Sequence, residues 1–276
     1  MQEHESEQSD QGDAAGFGPP STRLPSPMVA LEFLTVLRLR RPRVVAVAAV
    51  ARAQLWYPLV GLLLGGLVAG IDRLLTGRMP AAPEAALLVL LLEGLTGLLH
   101  LDGLADSADG LLGLHSRERR LEIMRDSRTG SFGVAAIALI LLLAFAAVSA
   151  LSGPARSAVL LVSPVTGRAA MVAVMAAFPY ARTSGLADGF HLHARSWVGA
   201  TALAMACVIV LLALGVAGMG LLAGGIAAAL LVGVFARVRV GGVTGDVVGA
   251  SCEVAQVVCL TLAAALQAHS WFRPWF

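Results

Sequence analysis

Glu84-Ala-Ala-Leu-Leu-Val-Leu-Leu-Leu-Glu93-Gly-Leu-Thr-Gly-Leu-Leu-His100-Leu-Asp-Gly-Leu-Ala-Asp-Ser-Ala-Asp-Gly110 runs from an apolar stretch straight into three aspartates. The first part reads as a membrane span over 82–100, since about 20 apolar residues in helix cross a bilayer. On a continuing helix, Asp102, Asp106 and Asp109 stand at i, i+4 and i+7, within roughly 60° of one another. Each Asp costs about 2.5–3.5 kcal/mol near a bilayer centre, and like charges repel besides. A chain that keeps such a face is expected to hold a cation there, and oxygen-only ligands suit Mg²⁺ or Mn²⁺.

The rest of the chain fits a membrane setting. It has 276 residues, 57% of them hydrophobic and 14% charged, with a mean hydropathy of +0.79. Soluble domains average about 25% charged. Further apolar runs at about 55–72, 132–152, 156–178, 198–217, 219–236 and 247–268 bring the expected spans to seven. The boundary between the fifth and sixth rests only on Gly218 and Gly220. The fold class expected is all-α, a polytopic helical bundle of about six or seven transmembrane helices. Residues 1–27, acidic and then rich in Gly, Pro and Ser, read as a disordered tail, and 28–276 as one membrane-embedded catalytic domain. Arginines among apolar residues over 28–54 suggest an interfacial amphipathic helix. Cys207, Cys252 and Cys259 form no C-x-x-C pair and read as small buried hydrophobes.

Every basic residue is arginine. With the N-terminus inside, fifteen arginines fall in inside segments, and four (Arg73, Arg78, Arg156 and Arg273) fall outside. Arg168 lies within a span. This asymmetry obeys the positive-inside rule and places the polar motifs on the cytoplasmic side.

Four clusters carry chemistry. The aspartate triplet follows His100. Met124-Arg-Asp-Ser-Arg-Thr-Gly-Ser-Phe-Gly133 offers Arg125, Asp126 and Arg128 in a glycine-bearing turn. Phe178-Pro-Tyr-Ala-Arg-Thr-Ser-Gly185 precedes Asp188, His191 and His193. Gly241-Gly-Val-Thr-Gly-Asp-Val-Val-Gly-Ala250 carries Thr244, Gly245 and Asp246, with Glu253 seven residues after Asp246 on one helical face. Carboxylates converging from separate segments suit metal-assisted phosphoryl transfer, with Arg and glycine-exposed N–H groups holding phosphate. Plainer roles stand beside these. Asp126 could pair with Arg125 or Arg128, Asp246 could cap the last span, and His100 could be a helix-end residue. His191 and His193 could be ordinary surface residues, while Glu93 and Arg168 could pair within the bundle.

The triplet, the 124–133 motif and the 241–250 motif together resemble the cobalamin synthase family of adenosylcobinamide-GDP ribazoletransferases. Leu31-Glu-Phe-Leu-Thr35, Trp56-Tyr-Pro-Leu-Val-Gly61, Gly167-Arg168 and Pro179-Tyr-Ala-Arg182 are similar to further family elements, in order, over roughly 30–268. The resemblance implies a Mg²⁺-dependent, multi-pass enzyme of the bacterial plasma (inner) membrane. It would join adenosylcobinamide-GDP to α-ribazole or its 5′-phosphate with release of GMP. Leu37-Arg-Leu-Arg-Arg41 replaces a Pro-rich turn usual in the family, and Gln256 stands where a second Glu is usual.

On this reading, Asp102, Asp106, Asp109, Asp126, Asp246 and Glu253 are the candidate metal ligands. Asp109 or Asp106 takes the proton of the ribazole 3′-hydroxyl, and Arg128 or Arg125 stabilises the leaving phosphate. His100, Arg182, Thr244 and Gly245 help bind substrate. Membrane lipid surrounds the protein, no nucleic-acid partner is expected, and contact with other corrinoid-pathway enzymes is open. The rivals are a CDP-alcohol phosphatidyltransferase, against which Asp106 stands where that family's Arg would follow Asp-Gly-Leu-Ala105, and a cation or metabolite transporter.

Overall fold

The long apolar runs of the sequence are all helical in the computed structural model, which describes residues 26–38, 51–182 and 196–268. Expectations for residues 1–25, for 39–50 and for Asp188, His191 and His193 lie outside the described residues. The main helices are α1 Ser26–Leu34, α2 Tyr57–Leu75 (entered through a helical turn at 51–53 and a 3-10 turn Gln54–Trp56), α3 Ala81–Leu95, α4 Leu99–Leu112, α5 Arg117–Ile123, α6 Ser131–Ala150, α7 Gly153–Ala177, α8 Ser196–Val240 and α9 Gly245–Ala268. Of the interfacial helix expected over 28–54, α1 forms the start, and residues 35–38 leave it without helix.

By length and composition, five runs can cross a membrane, and α3 with α4 passes jointly as a sixth. The longest run, α8, is two passes. Gly215 breaks it with φ 63° and ψ −154°. A Cβ on Gly218 would sit 2.6 Å from the Leu214 Cβ and 3.0 Å from Val210 Cγ1, whereas eight residues of straight helix span about 12 Å. Gly199 faces Val172 and Ala176, and Gly233 faces Phe178, so both far ends of α8 return to the same end of α7. Residues 196–214 and 216–240 are therefore antiparallel arms, turning three residues before the expected boundary. Counted so, the passes number the seven expected.

α7 is the central pillar: 89% of its most apolar window is buried inside the protein, against 22% for that of α6. Small residues bring α2 against α7. A Cβ on Gly61 would lie 2.6 Å from the Pro164 carbonyl oxygen, and one on Gly65 would overlap that of Leu161, the close backbone approach that membrane helix packing exploits.

The span expected over 82–100 is not straight. α3 stops at Leu95, and α4 leaves it at 87°. Gly97 and Leu98 both adopt left-handed backbone (φ 64° and 61°), so the break holds a non-glycine residue in a costly conformation. The α3 carbonyls released there are reused. Glu93 O accepts from the Thr96 hydroxyl (2.8 Å) and Leu98 N (3.1 Å), and Leu95 O from Val36 N (2.9 Å). At the far end of α4, buried Arg120 donates to the carbonyls of Gly110 (3.0 Å), Leu111 (2.6 Å) and His115 (2.9 Å). A cation satisfying the last carbonyls of a helix also complements its dipole.

On the opposite end of the bundle, where α2 ends and α7 begins, Arg156 lies 2.7 Å from Asp72 and 2.7 Å from Glu84, all three buried. Arg156, counted above as an outside charge, is thus on that face but serves as the pin between α2, α3 and α7. Removing one partner of a buried ion pair costs about 3–5 kcal/mol, because the other charge stays buried. Arg156→Met is expected to lower the thermal midpoint in detergent by several degrees. Adding Asp72→Asn should recover part of that loss, because it removes one of the stranded charges.

Candidate active site

The acidic triplet occupies a helix of its own. Along α4, Gly103, Ala105, Ser107, Ala108 and Gly110 are buried, while Asp102 is exposed and Asp106 and Asp109 are half-buried. The three carboxylates therefore share the one accessible face, as their spacing requires. The buried face crosses the start of α9 so closely that a Cβ on Gly103 would stand 2.8 Å from the Asp246 carbonyl oxygen. This contact brings Asp246 beside the triplet, and Asp106 lies in the combined field of Asp102, Asp246, Asp109 and Arg182.

Asp246 is held from two sides. Its Oδ2 accepts from Arg182 (3.0 Å) and from the Thr244 hydroxyl (3.1 Å). Thr244 is buried, and its oxygen also accepts from Val247 N (3.3 Å), so Thr244 rather than Asp246 caps α9. Arg182 reaches Asp246 because the segment after α7 is tied to the one before α9. Ala181 N donates to Val243 O (2.9 Å), and Val243 N donates to Pro179 O (2.8 Å). Arg117 clamps the same junction from α5, donating to Val240 O and Ala181 O at 2.8 Å each. Gly245 is exposed at the start of α9.

Asp109 is committed differently. Its two oxygens accept from Gly130 N (2.6 Å) and Gly133 N (2.9 Å). It thus caps the N-terminus of α6 from a neighbouring helix, satisfying donors that α6 cannot. That engagement counts against Asp109 as the proton acceptor. Asp126 does not join the cluster through any contact shown. It pairs bidentately with Arg128 (Oδ1 to Nε 3.0 Å, Oδ2 to Nη2 2.7 Å), which holds its carboxyl down at about 2.

His100 and Glu253 are corrected more sharply. His100 is 1% exposed and Glu253 2%, both beneath the acidic face. The His100 Nδ1 is 4.0 Å from Glu253 Oε1. Cys252 completes a group with one ligand atom each within 4.8 Å of one another, the only such group of three among the described residues. Glu253 accepts from Gln256 (3.4 Å), and Gln256 in turn accepts from buried Arg168 (2.6 Å). Helical spacing put Glu253 on the Asp246 face, but two turns carry it inside the bundle. There it is joined through Gln256 to Arg168.

As candidate ligands, Asp102, Asp106 and Asp246 offer carboxylate oxygens only, which suits a hard divalent cation, although their oxygens do not all come within 4.8 Å of one another. Sequence reading missed the wall beside them. A cavity of about 280 Å³ opens next to Arg182, lined by Arg117, Glu118, Leu121, Glu122, Arg125 and Ala181. The spacing of 117, 118, 121 and 122 on one face of a short helix, with Arg125 in the turn after it, was the available signal.

An all-helical, multi-pass membrane protein with an acidic, arginine-edged site at one face is the class these observations define. The family model for cobalamin-5-phosphate synthase matches residues 26–264, and the chain belongs to that family. Relatives named adenosylcobinamide-GDP ribazoletransferase include one from Pseudomonas putida strain GB-1, 40% identical over 253 residues (87% of this chain, 98% of the relative). Another, from Pseudomonas putida strain F1, is 42% identical over 86% of this chain and 98% of its own length. One from Desulfitobacterium hafniense strain Y51 is 39% identical over 84% and 93%. No solved structure matches.

Asp109→Ala should leave two backbone donors unpaired, at about 1–3 kcal/mol for the lost cap. The expected readout is faster tryptic cleavage after Arg125 and Arg128. The Asp126 carboxyl, lowered below its ordinary value, supports its turn fully above pH ~4 and releases it only as pH falls through about 2. Asp126→Asn should therefore leave the activity–pH profile between 5 and 9 unchanged in shape.

Proposed function

We propose that this acidic face performs the transfer named in the relatives: adenosylcobinamide-GDP and α-ribazole, or its 5′-phosphate, give the completed nucleotide loop and GMP. The observation that carries the reading is the packing of α4 at Gly103 onto the Asp246 backbone of α9, which sets Asp102 and Asp106 beside an Asp246 carboxylate held by Arg182. The ribazole 3′-oxygen forms a new bond to the corrinoid-side phosphorus. The P–O–P bridge breaks, and GMP leaves with that electron pair. The hydroxyl proton passes to a carboxylate, for which Asp106 is best placed, being central and half-buried.

Asp102, Asp106 and Asp246 would hold Mg²⁺, which, when bound, neutralises diphosphate charge and orients the attacking oxygen. Arg182 steadies Asp246 and faces the phosphates. Arg125, which lines the cavity beside Arg182, would meet the leaving phosphate, whereas Arg128 is paired with Asp126. His100 and Glu253 have no contact with substrate in this scheme. The arginine asymmetry supports a bacterial plasma-membrane protein whose site opens to the cytoplasm, where nucleotides are.

Asp106→Asn and Asp102→Ala, assayed in purified membranes with Mg²⁺, should each lower turnover by about a hundredfold or more. Chelation should abolish activity, and Mg²⁺ should restore it. Near-normal turnover in both variants, or transfer from CDP-diacylglycerol instead, would sink this reading.

A further inference from the structure

The cavity beside Arg182 is not accounted for by the phosphate chemistry alone. Its wall has an apolar floor, Leu121, and two carboxylates, Glu118 and Glu122, besides three arginines. A pocket for phosphate only would gain nothing from glutamates, which repel it. Arg117 is spent on backbone carbonyls and lies fixed. Its guanidinium plane is a surface on which an aromatic ring can stack.

The two glutamates differ. Glu122 is engaged by Arg119 at 2.7 Å. Glu118 stands 3.8 Å from Arg117, beyond hydrogen-bond range, and its side chain is 77% exposed. The Arg182 Nε is buried without a partner, although the same guanidinium donates to Asp246 from Nη2. A group entering the cavity would therefore meet a buried donor lacking an acceptor on one side and, on the other, an exposed carboxylate whose ion pair with Arg117, at 3.8 Å, leaves its oxygens free to accept.

We infer that this cavity is the guanosine subsite, with Glu118 reading the base. Guanine presents N1–H and the N2 amino group side by side, a donor pair that one carboxylate accepts with both oxygens. Adenine presents an acceptor at N1 and is repelled there. The base lies over Leu121 against the Arg117 plane. The phosphate end reaches Arg182 Nε and, through the Asp246 bridge, the acidic face. A volume of about 280 Å³ suits a nucleotide end rather than the whole corrinoid substrate. The inference rests on the transfer proposed above for the identity of the nucleotide, but its test does not require turnover.

The detergent-purified full chain is titrated with GMP, AMP and inorganic phosphate by calorimetry, with Mg²⁺ present. GMP should bind at least about tenfold more tightly than AMP, the discrimination expected of one bidentate base contact. Glu118→Gln should erase most of that preference while leaving AMP binding within about twofold. Equal GMP and AMP affinities in the wild type would overturn the inference, as would GMP preference surviving in Glu118→Gln. So would inorganic phosphate displacing GMP as well as GMP displaces itself. Wild-type chain that catalyses transfer yet shows no base preference refutes the subsite and spares the function. Selective GMP binding without transfer does the reverse.

Discussion

Thr96 and Leu98 fold back onto the Glu93 carbonyl, and two left-handed residues swing the chain through 87° into α4. Without that turn, the aspartates would continue the line of α3. With it, α4 lies across the start of α9, one side pressed onto that helix at Gly103 and the other presenting three carboxylates to solvent. Asp246, Arg182 and the α6 cap on Asp109 all depend on where this helix lies. Arg120, gripping its last carbonyls, fixes the far end.

The bundle also carries two buried polar knots, one at each level. Asp72, Glu84 and Arg156 tie three helices at the face opposite the site, and Arg168, Gln256, Glu253 and His100 fill space beneath it. Such groups are expensive to desolvate, and a helix register that separated them would leave buried charges unpaired. Neither knot reaches the accessible face of α4, which carries Asp102, Asp106 and Asp109.

Arginine does all the basic work in this chain, in several distinct ways. Arg120 caps a helix, Arg117 clamps the α5 wall to the junction of α7 and α9, and Arg182 bridges that junction to a carboxylate. Arg128 pairs locally with Asp126. Sequence position alone made these residues look alike, as topology markers or phosphate ligands. Their planar forks let one residue type serve backbone carbonyls and carboxylates equally.

Much was readable from local pattern. Hydrophobic run length gave the helical class and the passes, and 3.6-residue periodicity put Asp102, Asp106 and Asp109 on one accessible face. Those are properties of short stretches, and short stretches suffice for them. Periodicity failed for Glu253 because it gives a direction around the helix but not a depth along it. It could not show that Asp109 is engaged, because its partners, Gly130 N and Gly133 N, come from another segment; Asp126 is taken up by Arg128 two residues away. The sequence by itself determined the membrane bundle, the acidic face and the family motifs. Only the tertiary structure decided that the span breaks before His100 and that Asp246 joins the triplet while Asp126 and Glu253 do not. It alone set a nucleotide-sized cavity beside Arg182, because each of these depends on how close two distant helices can pack.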